Sequence, residues 1–287
     1  MQTCIRCSRL AKREGEKAVP ENITVVGNIS RDTAWYGTNK RASFFGGAGL
    51  NIAWSLAHHG QHPRLVSVLG QADRFLLDEL APFVDTTSVH MLPGETCQFT
   101  FYYTSDGRLE HLVSSFGVAF SLDAHIQRVP LVGGHYHICC RHPIHPEPLL
   151  RRLIQNQIPF SLDFILSSIA TQVESCKESI AFATCVFVNG QEFAVLSQLY
   201  DIAALKMLII TNGSGPIQVF CHGREVHRYA CTPASVFEVT GAGDVFTGTF
   251  LASYFQQKYP IDIAIEQAIV AAQVSLSQVG VCNIQIK

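Results

Sequence analysis

The sequence predicts an α/β domain with a mostly parallel central sheet flanked by helices, plus a small β-sheet lid. Three observations carry this. From His135 onward, short apolar runs alternate with helical stretches, the pattern of βαβ units. Glycine-rich segments, Gly46-Gly47-Ala48-Gly49 and Gly241-Ala242-Gly243, open two helix-like runs. An aromatic, weakly alternating segment, Gln98 to Tyr103, returns through Ser105-Asp106-Gly107 to Leu109–Ser114, as a β-hairpin does.

Taken in order, Ile23 to Val26 reads as a short buried strand ending at Gly27. A polar and aromatic stretch leads to Phe45, and the run Leu50, Ile52, Ala53, Leu56, Ala57 has helical spacing, with Gly60 as its stop. Leu65 to Leu69 is the next strand. Further strands are expected at Tyr136–Cys139, Phe160–Asp163, Cys185–Val188 and Met207–Thr211. Pro233 to Glu238 is an irregular approach to a helix from about Gly241 to Gln257, and a last helix covers roughly Asp262 to Gln278. No repeat or low-complexity linker interrupts the chain. The simplest organisation is a tail over residues 1–20 and one domain over 21–287, with lid strands near 33–44 and 97–115.

Composition narrows the function classes. With 47% hydrophobic and 15% charged residues in 287, the chain can bury a large core. A net charge of −2 argues against a nucleic-acid surface, so an anionic ligand must be held by a few local donors. No apolar run approaches the roughly 20 residues of a membrane span. The ten cysteines lack the spacing of a small disulfide scaffold, and reduced thiols in the cytoplasm are expected. Cys4-x-x-Cys7 has no second pair to complete a zinc site.

The sharpest chemical signal is Thr240-Gly241-Ala242-Gly243-Asp244 at a helix start. The first N–H groups of a helix have no internal partner, and the helix dipole favours an anion there. Gly241, Ala242 and Gly243 are thus suited to the oxygens of a phosphoryl group in transfer, and Asp244 to the proton of an attacking hydroxyl. Read alone, the same segment is also a glycine-rich helix start with Asp244 facing the dipole. Asn189-Gly190-Gln191-Glu192 follows a strand and offers an amide and a carboxylate for hydrated Mg²⁺, or an ordinary helix cap. Thr211-Asn212-Gly213-Ser214-Gly215, at another strand end, is either a phosphate-side or adenine-side loop or a tight turn. Near the start, Asp32, Gly46, Gly47 and Asn51 combine a carboxylate, an amide and bare backbone, suited to a polyol. Neither the Walker nor the dinucleotide-binding glycine pattern is present.

In this order along the chain, these motifs make it resemble the ribokinase-like (PfkB) family of carbohydrate and nucleoside kinases, over roughly residues 22–280. The resemblance implies a ribokinase-like fold, ATP and Mg²⁺ as phosphoryl donor and cofactor, and an acceptor hydroxyl on a small sugar or nucleoside. It implies that Gly241, Ala242 and Gly243 form the anion hole and that Asp244 is the base. Asn189 and Glu192 would organise Mg²⁺ and phosphate largely through water. Thr211, Gly213, Gly215 and Thr240 would line the nucleotide, and Asp32, Gly46, Gly47 and Asn51 the acceptor. Lids of this family often pair, so a homodimer through the lid is an open expectation. Where relatives often carry Asp-x-Thr, this chain has Glu238-Val239-Thr240, which leaves open a nearby monovalent-cation site. Asp163 is followed by Phe164-Ile165-Leu166 and not by the frequent Asn and Arg. With Arg31, Lys40, Arg41 and Arg108 as the few lid-side cations, a neutral acceptor is expected.

Two segments admit other readings. The run from Gly134 to His145 contains four His and two Cys. It reads as a pocket wall, because strand alternation is expected to send its ligands to opposite faces. Trp35, Tyr36, Phe101 and Tyr103 suit either stacking on a base or sugar or packing between lid and body. A nucleotide- or sugar-binding sensor of the same fold is the alternative to an enzyme, and retained Asp244 and Glu192 weigh against it.

Overall fold

The computed structural model describes residues 22–37, 40–104, 109–231, 240–277, 280–282, 284 and 286, with Lys40 and Arg41 as backbone only. The expected tail, the Ser105-Asp106-Gly107 turn, Arg108 and the Pro233–Glu238 approach lie outside the described residues.

The strands that form the main sheet are β1 (Ile23–Val26), β4 (Arg64–Gly70), β5 (Val89–Leu92), β8 (His135–Cys140), β9 (Phe160–Phe164), β10 (Cys185–Asn189), β11 (Leu208–Thr211), β12 (Ile217–Cys221) and β13 (Arg224–Tyr229). Their order is β13-β12-β11-β10-β9-β8-β1-β4-β5. Pairing is parallel from β5 through β11, and β12 and β13 add an antiparallel edge. The central strands are buried on both faces, which is why they read as unbroken apolar runs. Sequence reasoning found β1, β4 and β8 to β11 but not β5, β12 or β13, whose alternation is short or interrupted by polar residues.

Alternating side chains feed two cores. Ile23, Val25, Leu65, Cys139 and Phe187 face one layer, with α1 (Ala48–His58), α7 (Ala242–Leu251) and α8 (Ile261–Ser275). Val26, Val66, Tyr136, Ile138 and Val186 face the other. That side is covered by α3 (Leu122–Arg128), α4 (Glu147–Gln155), α5 (Ile169–Ser175) and α6 (Gly190–Leu199), while the short α2 (Phe75–Leu80) joins the first core. Helix α7 runs on into a wider π turn, Ala252–Gln256, so the long helix expected from Gly241 to Gln257 is present with a change of pitch.

A second sheet, ordered β3-β2-β6-β7, stands apart from the first. It consists of β2 (Ser30–Tyr36), β3 (Lys40–Gly46), β6 (Cys97–Tyr103) and β7 (Leu109–Ser115). The polar and aromatic stretch before Phe45, where lid strands are expected near 33–44, is a hairpin of β2 and β3, and Asp32, beyond β1, lies within β2. Tyr36 stacks on Tyr103 with ring centroids 5.3 Å apart, and both pack with Ala34, Phe44 and Phe101. These rings thus have packing partners within the small sheet.

The eight cysteines among the described residues are free thiols, all but Cys231 buried. No helix among the described residues is long and apolar enough to cross a membrane. His135 on β8 is buried against Phe255, centroids 4.2 Å apart, with Nε2 2.9 Å from the Ser161 hydroxyl. Burial, aided by the neighbouring His137 and Lys258, depresses its pKa from 6.5 to about 3. The unfolded chain therefore takes up a proton at this residue several pH units before the folded one, and stability falls as pH drops below about 6.5. Between pH 7 and pH 5 we expect His135 to cost about 2 kcal/mol of unfolding free energy. Urea titrations at the two pH values measure this, and His135→Asn should flatten the difference.

Candidate active site

Packing of α1 against α7 brings the two glycine-rich segments together. Gly248 on α7 sits where a Cβ would stand 2.7 Å from the Ser55 Cβ, and the Ser55 hydroxyl donates to the Val245 carbonyl at 3.1 Å. One turn nearer the helix starts, Asn51 Nδ2 donates to Asp244 Oδ2 at 2.9 Å. Two residues predicted for acceptor binding and catalysis, 193 positions apart, are thus in direct contact. Gly241 precedes α7 in the left-handed region at φ 83°, a conformation that favours glycine. Around Gly243, no other group lies within 4 Å of where a Cβ would stand, so open space borders the start of the helix.

Asp32 is buried on β2 beside its register neighbour segment, and Gly46 on β3 makes room for it. A Cβ on Gly46 would lie 2.3 Å from Asp32 Oδ2. Gly47 follows at φ 93°, and its own Cβ would meet the Asn28 carbonyl at 2.6 Å. The lid also reaches the helix start, because the Tyr103 hydroxyl is hydrogen-bonded to the Thr240 hydroxyl.

At the C-terminal ends of β10 and β11, Asn189 and Thr211 are register partners. The Asn189 side chain accepts from the backbone N–H of Gln191 and Glu192, each at 2.9 Å, and Glu192 Oε2 accepts from Asn189 N–H at 2.7 Å. This is a capping box at the start of α6. Glu192 Oε1 also accepts from Leu166 N–H at 3.1 Å. Burial holds the Glu192 carboxyl above its usual range, opposed by those N–H donors and by the charge of Arg141. The motif therefore has the structural role of a cap. Each carboxylate oxygen keeps a lone pair, so the donor set also fits Mg²⁺ held through water. Gly213, at φ 55°, and Gly215 belong to the turn after β11, where Gly215 N–H donates to the Asn212 carbonyl at 2.7 Å.

The residue that sequence reasoning missed is Arg141. It follows β8, and its Nη2 donates to Asp163 Oδ2 at 2.5 Å and to Asp244 Oδ1 at 2.8 Å. The side chain is 24% exposed, while both carboxylates are under 10% exposed. Burial opposes the charge of Arg141, but Asp163 and then Asp244 outweigh it and raise the guanidinium pKa. Burial also opposes ionisation of Asp163, yet Arg141 and His137 hold its pKa down at about 2. Arg141 lay inside the His- and Cys-rich segment, and its position one residue past a central strand was the available signal. That segment also departs from expectation in another way. His135, His137 and Cys139 are alternate residues of β8 and so share one face.

The sequence pattern of the pfkB family of carbohydrate kinases matches residues 143–287. The chain belongs to this family of kinases. It is 26% identical over 283 residues to the cytidine kinase of Thermococcus kodakarensis, covering 92% of this chain and 99% of that protein. Among solved structures, the Burkholderia thailandensis nucleoside kinase in complex with inosine superposes with a TM-score of 0.78 at 19% identity, covering 92% of this chain and 94% of that one. The Methanocaldococcus jannaschii nucleoside kinase, a member of the ribokinase family, gives 0.77 at 20% identity with the same coverage. These structural likenesses establish the ribokinase-like fold.

Removing one partner of a buried charge network leaves the others desolvated and unpaired. Arg141→Met is expected to lower the unfolding free energy by about 2 kcal/mol, discounted for the partial exposure of the guanidinium. Asp163→Asn should also destabilise. The double variant should lose less than the two single losses combined, with a coupling of about 1 kcal/mol in a urea-denaturation cycle.

Proposed function

We propose that this protein is an ATP-dependent nucleoside kinase that phosphorylates a ribose hydroxyl, with Asp244 as the general base. The observation that carries the reading is the convergence of Asn51 and Arg141 on Asp244, at a helix start bordered by open space, with Asp163 sharing the Arg141 guanidinium. The curated cytidine kinase supports a nucleoside as acceptor, because its similarity extends over nearly the whole of both chains. The few lid-side cations support a neutral acceptor.

In this reading Asp32 and Asn51 bind acceptor hydroxyls, and Gly46 and Gly47 let the acceptor lie against the backbone. Asp244 receives the proton that the attacking hydroxyl loses, as oxygen bonds to the γ-phosphorus and ADP departs. The N–H groups that begin with Gly241, Ala242 and Gly243 stabilise the negative oxygens of the phosphoryl group in flight. Arg141 is a positioning residue that fixes the Asp244 carboxylate from the side opposite Asn51. Glu192, with Asn189, is the group suited to hold Mg²⁺ through water, and Mg²⁺ when bound offsets phosphate charge. Thr211, Gly213, Gly215 and Thr240 line the nucleotide side. The Tyr103–Thr240 hydrogen bond ties the lid to the anion hole.

Two measurements test this. ADP release from Mg·ATP should be stimulated by one or more neutral nucleosides and much less by free sugars. Asp244→Asn should lower that turnover by about a thousandfold while ATP binding persists. Unchanged turnover in the variant would remove Asp244 from the mechanism. Gly46→Ala should displace the Asp32 carboxylate and raise the KM for the nucleoside by about tenfold, with the KM for ATP little changed.

A further inference from the structure

Beneath Arg141 the sheet carries a cluster in which His137 and Cys139 have no part in the proposed phosphoryl transfer and Asp163 enters it only by pairing with Arg141. His137 and Cys139 lie two residues apart on one face of β8, and Asp163 on β9 is the register partner of Cys139. An imidazole nitrogen, a thiol sulfur and a carboxylate oxygen from these residues lie within 4.8 Å of one another, and all three side chains are buried. Ser161, the register partner of His137, holds His137 Nδ1 at 2.9 Å. The other ring nitrogen, Nε2, then faces Asp163 Oδ1 at 3.6 Å. That separation is too long for a hydrogen bond. Both atoms are buried and neither has a hydrogen-bond partner. Two buried polar atoms that face one another without a hydrogen bond are costly unless a group between them joins them.

We propose that His137 Nε2, Cys139 Sγ and Asp163 Oδ1 form a site for Zn²⁺, with a water or a small ligand in the fourth position. A nitrogen, sulfur and oxygen donor set favours zinc over the hard, oxygen-seeking Mg²⁺. Bonds of about 2.0–2.2 Å from a tetrahedral zinc to nitrogen and oxygen put those two donors roughly 3.3–3.5 Å apart. The 3.6 Å between imidazole and carboxylate is within a few tenths of an ångström of that spacing. Ser161 supplies the outer hydrogen bond that orients a metal-bound histidine. As the zinc–sulfur bond forms, Cys139 releases its proton to water. Charge also closes. Asp163 and Asp244 outnumber Arg141 by one negative charge, and adding Zn²⁺ with the Cys139 thiolate brings the group to neutrality. Zinc on Asp163 Oδ1 would leave Oδ2 with Arg141, whose same nitrogen also holds Asp244, and this links the metal site to the proposed base.

The test uses the full chain, stripped with chelator and kept in a thiol-free reductant, without nucleotide or acceptor, so it does not depend on the kinase reading. Co²⁺ serves as the spectroscopic probe. The expected result is one equivalent bound, with a thiolate-to-cobalt charge-transfer band and the visible bands of tetrahedral cobalt, both lost on adding Zn²⁺. The bands should survive in a Cys4→Ser/Cys7→Ser variant and vanish in Cys139→Ser. His137→Gln should weaken binding by roughly a hundredfold or more, since loss of even an outer-shell partner costs 10- to 100-fold. Should Cys139→Ser fail to fold, the wild-type chain decides, by protection of Cys139 from alkylation in Zn²⁺ followed by peptide mass spectrometry. Absence of the charge-transfer band, its loss in the Cys4→Ser/Cys7→Ser variant instead, or alkylation of Cys139 unaffected by Zn²⁺ in the folded protein would overturn the proposal.

Discussion

The end of this protein that holds the proposed active site depends on one guanidinium. Arg141 Nη2 bridges Asp163 and Asp244, so a residue just past β8 holds the neighbouring strand β9 and the first turn of α7. Burying a carboxylate without a partner is unfavourable, and two carboxylates at close range repel. A shared cation solves both problems, and the depressed pKa of Asp163 records the result. Asn51 approaches Asp244 from the other side and extends the same network to α1. The Asp244 carboxylate is thereby fixed by groups from two separate parts of the chain, Asn51 and Arg141, before any ligand arrives.

Around that network, space is set by missing side chains. Gly46 lets a buried Asp32 stand beside the hairpin backbone, and Gly248 lets α7 lie against α1 closely enough for Asn51 to reach Asp244. A methyl group at either place would push apart elements that the polar contacts need together. The parallel sheet contributes by stacking the ends of β8, β9, β10 and β11 in one region, where Arg141, Asp163, Asn189 and Thr211 follow one another across neighbouring strands. Loops at the carboxyl ends of parallel strands are the common place for ligands in such folds. The small sheet touches this region through Tyr103 and Thr240, and its aromatic side chains are largely used in its own packing.

Several features were legible in the residues. Apolar runs at Ile23–Val26 and Cys185–Val188 can only be central strands in a chain with this alternation, and they are. The capping-box reading of Asn189 and Glu192 was open because the same residue types that bind a hydrated cation also satisfy a helix start, and the structure uses them as a cap. Lid strands near 33–44 were expected, but not the start of β2 at Ser30 that puts Asp32 inside the small sheet. The sharing of one face by His137 and Cys139 follows from strand periodicity once the register is known, yet counting ligands along the whole segment obscured it.

The sequence by itself determined the fold class, the glycine-rich helix starts and the residue types available for phosphoryl chemistry, because periodicity, glycine and helix-start chemistry act over a few neighbouring positions. Only the tertiary structure decided which of those groups meet. The contact of Asn51 with Asp244 spans 193 positions, and that of Arg141 with Asp244 spans 103. Charge pairing at such separations is set by strand order and helix packing, and no local pattern encodes it. Asp163 lacks a following arginine in the chain, and its cation comes instead from Arg141, just past the adjacent strand β8.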